Sequence, residues 1–317
     1  MKNLIILKYV FFCLILCACE KDKDIENSPF VIEDISFENY PKVDASTSTT
    51  PLQKIIACKL LGVDYRWQKD MAYSFTYDVF PDYEKMPSGF LYDHIKSSGT
   101  HGAFMNLIDK EVDFILTART ASTDELAYAF EQGVSLLETP VALDAFIFIT
   151  HPDNPVESLT TKQIQDVYQA KITQWSEVGG TDRNINPYIR NANSGSQELM
   201  ESLIMKGLDM IDWPEAILTG MMGPFNTLRN DIDGLCYTVY YFREQMVRDD
   251  IVKQLSVDGI YPDGKSIKDQ SYPYTTEVYA VIRTDQDKNS PAYKIYEELL
   301  SEAGQALIKE SGYIEIK

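Results

Sequence analysis

The stretch that decides the fold is PVALDAFIFITHPDNPVESLTTKQIQDVYQAKITQWSEVGG, residues 140–180, followed by PYIRNANSGSQELMESL, residues 187–203. Its apolar run predicts a buried strand at Ala145–Thr150. Thr160 and Gln163 then have the spacing of a capping box, which predicts a helix start. A second apolar stretch leads into a Ser/Gly-rich turn that opens another helix. The run therefore alternates strand and helix.

The same alternation extends along the chain. Strands are predicted at Ala72–Tyr77, Phe114–Thr117, Ala145–Thr150, Ile185–Ile189, Leu235–Tyr240 and Val278–Ile282. Helices are predicted at Leu52–Leu61, His101–Lys110, Asp124–Gln132, Thr161–Gln169, Ser196–Lys206 and Ala292–Ala303. Strands interleaved with helices indicate an α/β fold with largely parallel sheets.

Two more helix starts have capping-box spacing. These are Ser122 with Glu125, and Ser194 with Gln197. In such a box the side chain of the capping residue accepts from the backbone amide of the third helical residue. The side chain of that third residue accepts in turn from the backbone amide of the capping residue. Both pairs therefore predict helices that begin where the apolar periodicity begins.

Residues 1–18 resemble a secretory signal of the lipoprotein type. A basic start is followed by an apolar stretch from Tyr9 to Leu16, which is too short for a permanent membrane span, and Cys19 would become the lipidated first residue. The alternative is an anchor that is not cleaved. Residues 19–38 are predicted to tether the lipid to the domain, with organised structure beginning near Phe30.

Composition bounds the remaining chain. Cleavage would leave 299 of the 317 residues, enough for two α/β lobes. Those residues carry 27 basic and 48 acidic side chains, a formal charge of −21, which argues against nucleic acid and anionic membranes as partners. In the folded part only Cys58 and Cys236 remain, and their pairing is open; buried free thiols are the expectation.

Three helix starts are rich in small hydroxyl and glycine residues. They lie in Asp44–Pro51, Ser97–Gly102 and Arg190–Ser196. A helix start has backbone N–H groups without partners and a partial positive charge, so three that converge could enclose a tetrahedral oxyanion. The alternative is that each start merely caps itself.

Arg190 precedes the third of these turns. Its planar guanidinium can hold two oxygens of one anion and keeps its charge at all ordinary pH values. The alternative for Arg190 is a surface position at a strand end. Arg119 follows the Phe114–Thr117 strand in a similar way, and a structural salt bridge is the expectation there.

Enzyme motifs are not found. Ser194 lies in Asn-Ser-Gly-Ser, which lacks the GxSxG elbow of hydrolases. The histidines His94, His101 and His151 have no metal-ligand spacing, and no phosphate-binding GxxxxGK loop occurs. His101 adjoins the second helix start and remains a candidate ligand contact. No cofactor or metal site is predicted.

The chain resembles the phosphate-type periplasmic solute-binding proteins of ABC phosphate importers, which are type II periplasmic binding proteins. The segments that carry the resemblance, in family order, are YPKVDASTSTTPL (40–52), SGTHGAFMNLIDKEVDFILTA (98–118), the run at 140–203, GLCYTVYYF (234–242), and SYPYTTEVYAVIR (271–283) with GQALIKESGYIEI (304–316). Of these, LTTKQIQDVYQAKITQW and RNANSGSQ are the most specific.

The resemblance implies a two-lobed α/β fold of mixed sheets flanked by helices, with a ligand cleft at the hinge. Lobe 1 would comprise residues 39–140 with 246–317, and lobe 2 residues 141–245. The ligand-binding residues it implies are Ser48, Thr49, Thr100, Arg190, Ser194, Gly195 and Ser196.

Two positions depart from the family pattern. Well-studied members carry an acidic residue after the Phe114–Thr117 strand and another near the Arg-x-x-x-Ser-Gly turn, where Ala118 and Ala192 stand here. Such carboxylates accept the proton of hydrogen phosphate and disfavour sulfate by roughly 1–3 kcal/mol or more. Selection against sulfate is therefore absent, or is performed by another group such as Asp44.

The function that the resemblance implies is a lipid-anchored solute-binding protein that captures inorganic phosphate or a similar oxyanion. Its partners would be an ABC permease and ATPase. The protein would be an exported monomer of the cell envelope, in the periplasm or at the cell surface. One alternative is a phosphate-sensing or surface-interaction lipoprotein. Another is a phosphoesterase using Ser194 or His101.

Overall fold

The computed structural model describes residues 30–71 and 75–317. The predicted signal segment, Cys19 and the first part of the predicted tether lie outside these residues. Within the described part of the tether, Phe30 is buried in the core, so the folded chain begins before residue 39. No helix among the described residues is long and apolar enough to cross a bilayer.

The helices are short and lie between the strands along the chain. Their bounds are α1 Thr50–Leu60, α2 Phe90–His94, α3 Gly99–Ile108, α4 Thr123–Glu131, α5 Thr161–Tyr168, α6 Gly195–Leu199, α7 Gly223–Leu228, α8 Gly264–Lys268, α9 Pro291–Glu298 and α10 Glu302–Glu310. Helix α6 continues into a π-helical segment at Met200–Met205, and another π-helical segment occupies Phe242–Val247.

The strands range from two residues to fifteen. Their bounds are β1 Val43–Ala45, β2 Tyr65–Lys69, β3 Tyr77–Pro81, β4 Phe114–Thr117, β5 Leu136–Thr150, β6 Ser158–Leu159, β7 Asn186–Pro187, β8 Ile189–Arg190, β9 Ile217–Leu218, β10 Gly234–Val239, β11 Lys253–Gln254, β12 Ser256–Val257, β13 Thr275–Arg283 and β14 Ile314–Glu315.

The long strand β5 connects two sheets. Its first part, up to Ala145, pairs antiparallel with β13, which continues through β4 to β1. Its second part, from Phe146, pairs antiparallel with β10, which continues to β7. The sheets are therefore mixed, as the family resemblance implies. The narrower expectation of largely parallel sheets is wrong, because β13 returns antiparallel to both of its neighbours.

Most predicted elements are present with shifted ends. The strand Phe114–Thr117 has the predicted bounds, and the strand predicted at Ala145–Thr150 is the second part of β5. Residues 72–74 of the strand predicted at Ala72–Tyr77 lie outside the described residues, and β3 begins only at Tyr77. The prediction at Ile185–Ile189 becomes the two short strands β7 and β8.

The single helix predicted at Ala292–Ala303 is wrong. The chain forms α9 and α10 instead, and Ser301 caps α10 by accepting from the amide of Gly304. A Cβ at Gly304 would lie 2.1 Å from the carbonyl oxygen of Glu298. Only glycine permits this close approach, so the chain can turn sharply between the two helices.

A buried carboxylate links the two chain segments that run from one sheet to the other. Asp144 lies on β5 just before the strand changes partner, and its Oδ1 accepts from the amides of Ala145 and Tyr241. Tyr241 follows β10 on the returning segment and stacks on Tyr313 with ring centroids 3.6 Å apart. The Oδ2 atom of Asp144 has no partner among the described residues, and burial raises the pKa of this carboxyl to about 7.

We expect Asp144 to make stability fall with pH. Its folded-state pKa of about 7 lies above the unfolded value of about 3.9, so its contribution is present below about pH 4 and is lost as pH rises through 7. Asp144→Asn removes this dependence. Between pH 5 and pH 8 the unfolding free energy of the wild type should fall by about 2–3 kcal/mol more than that of the variant, measured by urea unfolding. Parallel pH profiles would contradict the assignment.

Candidate functional site

The three predicted helix starts line one cavity. It has a volume of about 550 Å³ and lies where α1, α3 and α6 begin. Of the seven residues implied as ligand contacts, six line it: Ser48, Thr100, Arg190, Ser194, Gly195 and Ser196. His101, Ala118 and Ala192 line it as well. These six residues, which come from three separate chain segments, therefore lie together around one cavity.

Thr100 is the point at which the three helix starts meet. Its Oγ1 lies 2.8 Å from the hydroxyl oxygen of Ser46, which precedes α1. On the other side Gly195 of α6 is so close that a Cβ there would lie 2.4 Å from Thr100 Oγ1. Gly99, which precedes Thr100, has a φ of 75° and turns the chain into α3.

Thr49 does not line the cavity, which corrects the prediction for this residue. Its hydroxyl donates to the carbonyl of Leu116 at 2.7 Å, and its backbone amide donates to the carbonyl of Ser46 at 2.9 Å. Thr49 is fully buried and ties the start of α1 to strand β4. The neighbouring Ser48 lines the cavity instead, and its carbonyl accepts from Tyr313.

Asp44 also has a structural role. Its Oδ1 accepts from the amides of Ala45 and Ser98, and its Oδ2 accepts from the Asn106 side chain at 2.6 Å. The carboxylate is fully buried and lies outside the cavity wall. Asp44 therefore holds the start of α3 against β1, and the suggestion that it replaces the missing acidic residues is wrong.

The turn after β8 is shaped by its own side chains. Asn193 has a φ of 62°, which reverses the chain before α6. The predicted capping box of Ser194 with Gln197 does not form, because Ser194 makes no side-chain cap bond. Gln197 Oε1 instead accepts from the Arg190 amide at 3.0 Å and from the Tyr237 hydroxyl at 2.5 Å. The Ser194 hydroxyl is thereby left for the cavity.

Arg190 is a buried cation without a carboxylate. It is 5% exposed, and no Asp or Glu of the described chain lies within 4.0 Å of its guanidinium. Its Nε donates to the carbonyl of Leu218 at 3.1 Å, which orients the side chain. Burial lowers the pKa of Arg190 from its ordinary value. An unpaired buried charge costs several kcal/mol, and an anion in the cavity would offset that cost.

Arg119 behaves differently, as the sequence suggested. Its two terminal nitrogens donate to the two carboxylate oxygens of Glu125 at 2.7 and 2.9 Å. Although burial acts in the opposite direction, these bonds hold the pKa of Glu125 below its ordinary value. His101 Nδ1 lies 3.0 Å from the same carboxylate. Arg119 is therefore neutralised, while Arg190 is not.

Several lining residues escaped the sequence reasoning. Ser46 and Thr47 belong to the first helix start and Ser98 to the second, but the family resemblance implies only their neighbours as ligand contacts. Gly220 and Met221 come from the loop after β9. No motif in the sequence marks that loop. It reaches the cavity because β9 pairs in parallel with β8, next to Arg190.

The cavity wall combines donors with a single cation. Among the described residues that line it there is one arginine and neither aspartate nor glutamate. No cluster of three potential metal ligands occurs in the described chain. In the same residues no hydrogen bond joins Ser194 to His101, as a nucleophile and its base would require. Cys58 and Cys236 are free and buried, as expected. The arrangement suits the capture of a small anion.

Comparison with known proteins gives a consistent family. A family model described as a PBP superfamily domain matches residues 72–309. The phosphate-binding protein PstS of Staphylococcus epidermidis is 25% identical over 254 residues, which cover 74% of this chain and 75% of the relative. The PstS of Borreliella burgdorferi is 25% identical over 226 residues, which cover 70% and 78%.

Solved structures show the same architecture. An ABC-type phosphate transport receptor from Vibrio cholerae superposes with a TM-score of 0.59 at 20% identity, covering 86% of this chain and 98% of its own. A phosphate-binding protein from Stenotrophomonas maltophilia superposes with a TM-score of 0.58 at 11% identity, covering 87% and 90%. At these identities the likeness concerns the two-lobed fold.

Proposed function

Because the chain belongs to the phosphate-type periplasmic binding proteins of the PBP superfamily, we propose that it captures inorganic phosphate, or a similar tetrahedral oxyanion, for an ABC importer. The single observation that carries this proposal is the buried Arg190, which faces a donor-lined cavity and has no carboxylate partner in the described chain. A dianion would neutralise it. The reaction is binding alone, with no covalent step.

In this proposal the anion contacts both sides of the cleft. The residues proposed to bind it are Ser48, Thr100, Arg190, Ser194, Gly195 and Ser196. Ser48, Ser196 and Arg190 are buried, so their donors are largely desolvated before the ligand arrives. A hydrogen bond to a charged group contributes about 1.5–3 kcal/mol, more than a neutral one. Several such bonds support tight binding without a second cation.

We propose two lobes with the boundaries that the family resemblance implies, residues 39–140 with 246–317 and residues 141–245. Strand β5 is one connection, and the segment around Tyr241 is the other. Strand β11 pairs with the second part of β5, so we place Lys253–Gln254 on the sheet of the second lobe, although the implied boundary assigns these residues to the first. The lobes would close on the anion. Because closure would bring donors from both lobes to the ligand, the anion would bind the closed state more tightly and raise its population.

Attachment to the membrane is proposed to run through Cys19 alone. The signal-like residues 1–18 support export and lipidation. The folded domain would then lie in the periplasm or at the cell surface, as a monomer. Its proposed partners are the permease and the ATPase of an ABC importer.

The absence of carboxylates in the cavity wall predicts weak discrimination between phosphate and sulfate. Ala118 and Ala192 line the cavity, and neither can accept the proton of hydrogen phosphate. We therefore expect sulfate to bind within about tenfold of phosphate, since no acceptor is left unpaired by the fully ionised ion. Calorimetric titration of the purified protein with phosphate, sulfate, arsenate, molybdate and a phosphonate measures this.

The same titrations test the proposed function itself. Chloride at equal ionic strength is the control, because it matches the charge screening but cannot fill a tetrahedral set of donors. If none of the oxyanions binds more tightly than chloride, the proposal is overturned. If phosphate binds and sulfate is rejected by more than about a hundredfold, the function stands and the account of its selectivity is wrong.

A further inference from the structure

A second cavity adjoins the anion cavity. The second has a volume of about 470 Å³ and shares Ala118 and Leu199 with the first. Ala118 ends at its methyl group, so it is one of the smallest side chains that could stand between the two spaces. A five-atom oxyanion displaces only a few water molecules of about 30 Å³ each, far less than the first cavity offers. The combined space suits a larger ligand.

The second cavity is polar and acidic. Six of its lining residues carry hydroxyl groups on short side chains: Thr120, Ser122, Thr123, Ser202, Thr275 and Thr276. Glu198 and Glu277 line it as carboxylates. Its arginine, Arg119, is already bound by both oxygens of Glu125. No free cation therefore faces this space from the described chain.

This composition selects the kind of group that can enter. Burial raises the pKa of Glu198, so its carboxylate gains from a donor that replaces lost water. Tyr279 donates to Glu277 at 2.5 Å, which leaves further acceptor positions on that carboxylate. Hydroxyl and ammonium groups supply such donors. A second phosphate or a carboxylate on the ligand would meet like charge.

We propose that the site binds phosphate monoesters with a small polyol or amino-alcohol substituent, in addition to inorganic phosphate. The phosphoryl group lies against Arg190, and the substituent passes Ala118 and Leu199 into the second cavity. This inference rests on the proposed function, because it uses the same phosphoryl site. It extends the proposed ligand by a substituent that the second cavity binds and that the first cavity alone would not recognise.

The test compares four ligands by calorimetric titration: inorganic phosphate, glycerol 1-phosphate, O-phosphoethanolamine and 3-phosphoglycerate. We expect the two monoesters with uncharged or cationic substituents to bind at least as tightly as phosphate. We expect 3-phosphoglycerate to bind at least about tenfold more weakly than glycerol 1-phosphate, since its carboxylate would approach Glu198 and Glu277.

A variant that fills the second cavity tests the placement. Ser202 is exposed, lines the second cavity and lies outside the wall of the first, so Ser202→Phe adds bulk there without a core defect. We expect it to weaken both monoesters at least about tenfold and to leave phosphate unchanged. Ser176→Phe, at an exposed serine that lines neither cavity, is the matched control.

Each outcome has a distinct meaning. If phosphate binds but neither monoester does, this inference is overturned and the proposed function stands. If monoesters bind equally well to the wild type and to Ser202→Phe, the substituent is elsewhere and the inference is overturned. If no phosphoryl compound binds the wild type, the proposed function fails, and the inference fails with it.

Discussion

Arg190→Ala is expected to abolish binding of phosphate while leaving the protein folded. In the wild type, ligand at one hundred times its dissociation constant adds about 2.7 kcal/mol to the free energy of unfolding, a rise in melting temperature of about 4–5 °C for a chain of this size. The variant should show no rise, because the remaining donors are uncharged. Without ligand its melting temperature should be no lower than that of the wild type, since the change removes a buried charge that lacks a carboxylate partner.

Two other arginine substitutions make this result specific. Arg183 is half-exposed and pairs with Asp233, so Arg183→Ala removes the same charge at a distance from the cavity and should leave the ligand-induced shift intact. Arg190→Lys keeps the charge and loses the planar fork, so it should retain part of the affinity. If Arg190→Ala shows the full ligand-induced rise in melting temperature, Arg190 does not contact the ligand.

Gly195→Ala is expected to weaken phosphate binding about tenfold to a hundredfold. The new Cβ would lie 2.4 Å from Thr100 Oγ1 and 3.2 Å from Thr100 Cβ, a contact that one side must relieve. Overpacking of this kind costs about 1–3 kcal/mol. Because Thr100 and Gly195 belong to different proposed lobes, the unliganded protein can avoid the clash by opening. Calorimetric titration and thermal unfolding without ligand separate the two effects.

Gly264 provides the matched control. A Cβ there would meet nothing within 4 Å, and its backbone lies outside the left-handed region, so Gly264→Ala should leave affinity unchanged. If Gly195→Ala binds phosphate as tightly as Gly264→Ala does, the close approach of α6 to α3 is not required for binding. If Gly195→Ala unfolds at a markedly lower temperature without ligand, the contact between Gly195 and Thr100 is already present in the unliganded fold and does not form only when the lobes close.

The fold was predictable where local chemistry is decisive. Ser122 with Glu125 and Thr160 with Gln163 form the capping boxes that their spacing indicates. The direction of the strands was not predictable in this way, because β13 comes from the end of the chain and inserts between β4 and β5. An apolar run predicts that a strand is buried, but it does not indicate which neighbouring strand that strand will pair with.

The site was predictable to a similar degree. The hydroxyl-rich helix starts identified turns that line one cavity, yet the sequence could not tell Ser48, which lines the cavity, from Thr49, which ties α1 to β4. Neighbouring residues on a helix start point in different directions, and only tertiary contacts decide which one faces the ligand. Likewise, spacing alone predicted a cap for Ser194 and Gln197, whereas Tyr237 and the Arg190 amide compete for Gln197.

The central claim is that three helix starts and Arg190 enclose one tetrahedral oxyanion. Its most direct test is a crystal structure of the protein with arsenate, in which anomalous scattering locates the arsenic atom. We expect a single strong peak in the cavity, with arsenate oxygens about 3 Å from the Arg190 guanidinium and from the hydroxyls of Ser48 and Thr100. An empty cavity at saturating arsenate, or an arsenic peak away from Arg190, would contradict the claim.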